Sequence, residues 1–259
     1  MATNPVNPGK SGAGPTTICI SSGKGGVGKT SISVNTATAL AASGRYKVLL
    51  IDGDLGLANV DIVLGLNVRH TVQETIDDDQ PLAKILVEIT PGFFVLPATS
   101  GVPEMANLSF EEQSILMEAL EKIIDRFDFV LIDTAAGLGD SVLWFNQWAR
   151  LNIIILSPDP TSMTDAYALM KVLTTQYGKN DFKLLINNVQ SRKEGQAVFA
   201  SMSRVLANFL KITPDYLGAL PQDSNVSKAI RMQKPFLLSF PECRASVAIK
   251  EIAATIAAM

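Results

Sequence analysis

Residues 23–30 read Gly23-Lys24-Gly25-Gly26-Val27-Gly28-Lys29-Thr30 and satisfy the pattern G-x-x-x-x-G-K-[ST]. A loop of this kind turns its backbone N–H groups inward around phosphates, sends its lysine to the β/γ oxygens and its hydroxyl to Mg²⁺. It functions only between a strand and a helix, so it dictates the fold on either side. The flanks comply: the apolar run Thr17-Ile18-Cys19-Ile20-Ser21 comes before it, and a small-residue helical pattern from Ser31 to Ala42 follows. Lys29 and Thr30 take the usual lysine and hydroxyl positions, with Ser31 next in line. A glycine-rich turn is the competing structural account. Lys24 is a second lysine, which the holding of a single nucleotide does not explain.

The rest of the chain continues the alternation. Strands are expected near 17–21, 47–51, 93–96, 128–133, 152–156, 182–187 and 216–220, and helices near 29–43, 110–125, 141–149, 162–177, 195–211 and 245–258. Continuous apolar runs such as Phe129-Val130-Leu131-Ile132 and Ile153-Ile154-Ile155-Leu156 suit strands buried on both faces of a parallel sheet. Ser162-Met163-Thr164-Asp165, just after Pro160, reads as a capping box starting a helix. The expectation is an α/β fold: one domain with a mostly parallel twisted sheet and helices on both faces.

Bulk properties narrow the function classes. A chain of 259 residues with 47% hydrophobic and 18% charged residues is compact rather than disordered. A formal net charge of −3 supplies no global positive field for nucleic acid or anionic lipid. The apolar runs are too short to cross a bilayer. The first fifteen residues carry Pro5, Pro8 and Pro15 with three glycines and no apolar signal segment, so 1–15 is expected as a loose tail and 16–259 as the domain. Two widely separated cysteines, Cys19 and Cys243, suit a reduced, cytoplasmic protein.

Ligands of open α/β sheets bind beyond the carboxyl ends of the strands. Two strand ends beside the loop are acidic: Leu50-Ile51-Asp52-Gly53-Asp54 and Leu131-Ile132-Asp133-Thr134-Ala135-Ala136-Gly137. Asp133 is the candidate for the aspartate that holds Mg²⁺ directly or through water; capping of the following helix is its alternative. If strand geometry persists, Asp52 and Asp54 point the same way. One then orients the metal shell or a loop, with Asp52 equally open to a structural role. The other, Asp54, positions or deprotonates the attacking water.

Lys24-Gly25-Gly26-Val27-Gly28-Lys29-Thr30 resembles the deviant Walker A motif of the MinD/ParA ATPases. Asp52-Gly53-Asp54-Leu55-Gly56-Leu57-Ala58-Asn59-Val60-Asp61 resembles that family's first switch. Its Ala58-Asn59 version, like Ser157-Pro158-Asp159-Pro160-Thr161-Ser162-Met163-Thr164-Asp165-Ala166-Tyr167-Ala168, is most similar to the flagellar-number regulator branch, FlhG/FleN. The similarity runs from about residue 16 to near the end. It implies a P-loop ATPase using ATP and Mg²⁺, with Gly23 to Ser31 around the phosphates and Lys24 reaching the nucleotide of a partner copy. The catalytic set is then Lys24, Lys29 and Asp54, and the metal set Thr30, Asp52 and Asp133. It also implies that adenine is gripped by Asn187 and Asn188 at the end of Ile186-Asn187-Asn188 and by Pro221, Gln222 and Asp223. Asparagine amides both donate and accept at a base edge, although turn residues look the same.

The function so implied is an ATP-dependent homodimer switch with slow hydrolysis, controlling flagellar number or placement. Its partners would be a transcription activator, switch-complex proteins or a partner GTPase. The alternatives are a positioning ATPase for chromosome, plasmid or division machinery, and a nucleotide-gated scaffold with little turnover. Met1-Ala2-Thr3-Asn4-Pro5-Val6-Asn7-Pro8 lacks the branch's GTPase-stimulating motif. The segment Ala248–Met259 has one lysine and one glutamate and reads as a core-packing helix rather than a membrane-binding one. Trp144, Phe145 and Trp148 are read as core packing or as a partner-binding surface. His70 is expected in a loop and Asp77-Asp78-Asp79 in a solvated turn.

Overall fold

The sequence alternates faces along each central strand, and the sheet follows from that. In the computed structural model, which describes residues 14–68, 70–78, 80–98 and 108–259, β1 (Thr16–Ser22) sends Ile18 and Ile20 into one apolar cluster and Cys19 into the cluster on the opposite face. The neighbouring strands β2 (Val48–Gly53) and β5 (Phe129–Ala136) divide in the same way: Leu50 and Leu131 to one side, Leu49, Ile51, Val130 and Ile132 to the other. Both faces are therefore apolar, which requires helices on both.

The remaining strands are β3 (Val87–Thr90), β4 (Phe93–Leu96), β6 (Leu151–Leu156), β7 (Phe182–Val189) and β8 (Asp215–Pro221). All eight form one sheet in the order β3-β4-β2-β5-β1-β6-β7-β8. Every pairing is parallel except β3 with β4. Helices α1 (Lys29–Ala41), α9 (Phe236–Ser239) and α10 (Arg244–Ala257) cover one face. The other is covered by α4 (Phe110–Ile124), α5 (Asp140–Trp148), α6 (Pro160–Tyr177) and α7 (Arg192–Leu210). Short helices α2 (Val60–Leu64), α3 (Val72–Asp78) and α8 (Ser224–Arg231) fill the connections. Phe93, Phe145, Phe182 and Phe236 are fully buried, each contributing about 1.5–3 kcal/mol of transfer free energy.

Several expectations need correction. The helix expected from Ser162 begins two residues earlier. Asp159 caps it by accepting from the Thr161 amide at 2.9 Å, and Ser162 instead accepts from the Ser157 amide at 3.0 Å. Asp77 and Asp78 close α3 rather than forming a turn; Asp79 lies outside the described residues. Strand β3 and the helices α2, α3, α8 and α9 were not expected; each is too short for its periodicity to stand out. Of the tail expected at 1–15, residues 1–13 lie outside the described ones, and Gly14 and Pro15 carry no regular structure.

Helix α10 buries Ala245, Ala248, Ile249, Ile252, Ala253 and Ile256, so its apolar side is spent on the core, as its composition implied. No described helix is long and apolar enough to cross a membrane.

Candidate nucleotide site

The loop between β1 and α1 is held open by glycine. Gly26 and Gly28 have φ of 74° and 94°, the left-handed region that side chains disfavour. Gly23 sits flush on α6: a Cβ there would lie 2.1 Å from the Asp165 carbonyl carbon and oxygen. On the other flank Asn187, at the end of β7, donates its amide to the Val27 carbonyl at 2.7 Å. The concavity is thus braced from two neighbouring crossovers, and it opens at the N-terminus of α1, which carries no acidic residue in its first turn. That end of a helix favours anions.

Ser22 is the hub at the root of the loop. Its hydroxyl donates to the Lys24 carbonyl at 2.7 Å and accepts from Lys29 Nζ at 2.8 Å, while its own carbonyl accepts from the Gly137 amide at 3.0 Å. Burial pulls the Lys29 ammonium below its usual range, against the pull of Asp133 and Asp54. One residue beyond Thr30, the Ser31 hydroxyl oxygen is buried with no partner among the described residues. A buried orphan at the mouth of a phosphate loop fits a phosphate oxygen as its missing partner.

Asp52 and Asp133 lie opposite each other on β2 and β5. Asp133 accepts from the Ser33 hydroxyl at 2.9 Å and is hydrogen-bonded to the Thr30 side chain; burial raises its pKa to about 6. Asp52 accepts from the amides of Asp54, Asn59 and Val60 at 3.2, 3.0 and 3.0 Å, and burial, reinforced by Asp133, pushes it up to about 8. These are the contacts of a loop organiser at the start of α2, the structural role that the sequence left open for Asp52 beside a place in the metal shell. Strand β2 also ends at Gly53, so strand alternation does not carry to Asp54. That carboxylate is half-buried near Lys29, and burial raises its pKa.

Thr30 and Asp133 do meet. Among the described residues no group of three or more His, Cys, Asp or Glu side chains is assembled to hold a metal. One carboxylate and one hydroxyl match the habit of Mg²⁺, which takes few protein ligands and keeps waters and phosphate oxygens.

Lys24 points away from its own loop. Its ammonium pairs with the Asp159 carboxylate and the Thr161 hydroxyl, both at 2.5 Å, at the start of α6. The contact holds the Asp159 carboxyl down at about 2. Both side chains remain substantially exposed, at 36% and 45%.

The residues expected around adenine divide. Asn187 is engaged with the phosphate loop, whereas Asn188 is exposed with φ 62°. Pro221 lines a cavity of about 310 Å³ together with Val189 and Arg244. The Gln222 amide donates to the Val189 carbonyl at 2.8 Å. Asp223 caps α8 through the Asn225 amide at 2.9 Å and also accepts from the Ala245 amide at 3.3 Å.

Sequence reasoning missed Ser22, Asp159 and Thr161 as partners of the two lysines. The signal for Asp159 and Thr161 was the Ser157–Ala168 stretch, whose resemblance carried no assigned role; Ser22 had none beyond its place before Gly23. Trp144 and Trp148 are half-buried against the core and Phe145 is fully buried. His70 sits in a loop, its Nδ1 2.9 Å from Glu74.

A braced glycine loop at a helix N-terminus, its lysine and hydroxyl facing a buried strand-end aspartate, defines a P-loop nucleotide-binding protein of the open-sheet class. An AAA domain family model matches residues 15–186. The chain is 41% identical to Antiactivator FleN of Pseudomonas aeruginosa over 248 residues, covering 96% of this chain and 83% of that one. It is 32% identical to the Flagellum site-determining protein YlxH of Helicobacter pylori over 237 residues, covering 91% and 80%. Among solved structures, MinD in the MinC:MinD complex of Aquifex aeolicus superposes with a TM-score of 0.74 at 27% identity, covering 94% and 96%. The chain belongs to the MinD/ParA family of P-loop ATPases. It is an ATPase, and its cofactors are ATP and Mg²⁺.

Proposed function

We propose that this protein is an ATP-gated homodimer switch of the cytoplasm that regulates flagellar number or placement. The observation that carries the reading is Lys24, a loop lysine that faces out of its own phosphate site and is held by groups at the exposed edge of α6. A cation so placed can enter a second copy's site when two phosphate loops face each other. There it neutralises phosphate charge in the manner of an arginine finger, a role worth about 10³–10⁵ in rate. Lys29, Ser31 and the loop amides bind the phosphates of their own chain. Thr30 and Asp133 hold Mg²⁺, which supplies charge neutralisation at the phosphates. Asp54, beside Lys29 and raised in pKa by burial, orients the attacking water. Asn188 and the 221–223 turn border the base.

The flagellar assignment rests on the two relatives named for antiactivation and for flagellum site determination. The partner in this reading is a flagellar transcription activator, a switch-complex protein or a partner GTPase. Lys24→Ala tests the switch: it should bind ATP as a monomer, fail to form ATP-dependent dimers in sedimentation, and lose turnover. A variant that dimerises and hydrolyses normally refutes the trans role.

A further inference from the structure

Three strand ends converge beneath α5. Asn146, fully buried on that helix, donates its amide to the Ser21 hydroxyl and to the Val142 carbonyl, both at 2.7 Å. Ser21 is the β1 residue next to the Ser22 hub, and its hydroxyl is also 3.1 Å from the hydroxyl of Thr134, the neighbour of Asp133. Phe145 presses on Gly53, where a Cβ would lie 3.1 Å from its ring. Helix α5 therefore reads the phosphate-loop strand, the Asp133 strand and the first-switch strand together. Its other end is tied to the same root: Gly137 (φ 92°) donates to the Ser22 carbonyl. Two adjacent residues of β1 hold both ends of the segment 137–146.

One group in this network is unsatisfied. Asn146 Oδ1 is buried and has no partner among the described residues, an arrangement that costs roughly 1–3 kcal/mol and calls for an explanation. We propose that Asn146 is a positioning residue, the pivot on which α5 changes seat with nucleotide. When phosphate draws residues 135–139 off the Ser22 carbonyl, the helix turns about the Asn146–Ser21 contact, and Oδ1 acquires a donor in the new seat. The inference rests on the ATP-switch reading and adds to it the element that moves.

Both tryptophans of the chain, Trp144 and Trp148, lie on α5, so tryptophan emission, excited apart from the four tyrosines, comes from this helix alone. The experiment titrates the full chain with Mg-ATP and Mg-ADP, following tryptophan emission while nucleotide binding is measured separately by equilibrium dialysis. The parent should give different emission with ATP and ADP. Asn146→Leu, nearly isosteric, removes the pivot and the orphan acceptor together. It should bind ATP within about threefold of the parent, lose the emission change, and drop kcat roughly 3- to 30-fold. Its melting temperature should stay near the parent's, because the lost amide bonds to Ser21 and Val142, about 0.5–1.5 kcal/mol each, are offset by removal of the buried orphan acceptor, about 1–3 kcal/mol. A merely structural Asn146 predicts the reverse: a lower melting temperature with the emission change retained. Ser21→Ala, which removes only the partner hydroxyl, should reproduce the kinetic loss and serves if the leucine variant does not fold. Emission change and kcat preserved in Asn146→Leu or in Ser21→Ala overturn the pivot. So does a parent that binds ATP with silent tryptophans, whereas a parent that binds no ATP overturns the nucleotide reading and the pivot with it.

Discussion

Gly23→Ala should unseat the phosphate loop, and the size of the effect follows from one contact. The new Cβ would lie 2.1 Å from the carbonyl carbon and oxygen of Asp165 and 2.7 Å from the Ala166 nitrogen. All three are backbone atoms inside α6, so no side chain can swing aside. Ordinary contact begins near 3.4 Å, so β1 and α6 must separate by about 1.3 Å, an overpacking strain of about 3 kcal/mol at the upper end for inserted methyls. For a chain of this length that corresponds to about 6–12 °C in melting temperature. The displaced helix also carries Asp159 and Thr161 in its first turn, and a misplacement of about 1 Å at such a site costs about 10²-fold in rate. Gly25→Ala is the control for the thermal melt alone, since its Cβ would meet nothing nearer than the Ala136 methyl at 3.9 Å. Thermal melts of both variants, and ATP turnover of Gly23→Ala against the parent, measure the difference. A Gly23→Ala protein melting within about 2 °C of the parent, with full turnover, would refute the argument that α6 fixes the loop.

Other outcomes follow from the same geometry. Asp54→Ala should keep ATP-dependent dimers in sedimentation yet lose about 10²–10⁴ of turnover; unchanged hydrolysis removes Asp54 from the chemistry. Asp159→Asn keeps an N-cap acceptor for α6 but frees Lys24, so dimers should form at roughly two- to fivefold lower ATP concentration, and a higher requirement would contradict the resting role of the pair. Burial raises Asp52 to about 8 and Asp133 to about 6 from the ordinary carboxylate value of 3.8. Between those values the folded chain keeps protons that the unfolded chain releases. The contribution is therefore complete below about pH 4 and is lost as pH climbs through 6 to 8. The nucleotide-free protein should melt lower at pH 8 than at pH 5, Asp52→Asn should flatten that slope, and an identical slope in the variant would show that Asp52 is not its source.

The long elements were legible because their physics is local. The continuous runs at 129–132 and 153–156 announced buried parallel strands, and the glycine spacing at 23–28 announced the loop. The antiparallel β3 was hidden because four residues cannot establish an alternation, although the Pro91-Gly92 turn before β4 marked a hairpin. The helix at Pro160 was displaced because two candidate caps lie three residues apart, and only the fold decides that Asp159 takes the Thr161 amide while Ser162 turns back to Ser157. Asp52 resisted reading for a similar reason. Its strand-end position is equally good for a metal and for a loop, and the choice depends on amides seven and eight residues on. The brace that Asn187 supplies was not legible, because a contact to Val27 across 160 positions leaves no spacing signal.

The two loop lysines rest against partners of different chemistry, and the difference bears on how the switch cycles. Lys29 is buried within the field of two carboxylates, yet its hydrogen bond goes to the neutral Ser22 hydroxyl. Had it closed a buried ion pair with Asp133 instead, removing it would leave an uncompensated charge, a penalty of about 3–5 kcal/mol. A hydroxyl is the weaker acceptor, because it brings no negative charge to the ammonium as a phosphate oxygen does, so incoming nucleotide displaces Ser22 readily. Lys24 rests on a carboxylate, but in the open, where solvent screens the pair and its loss is tolerable. On the proposed reading each lysine is held firmly enough to keep its place and loosely enough to leave it, one for its own chain's phosphates and the other for those of a partner.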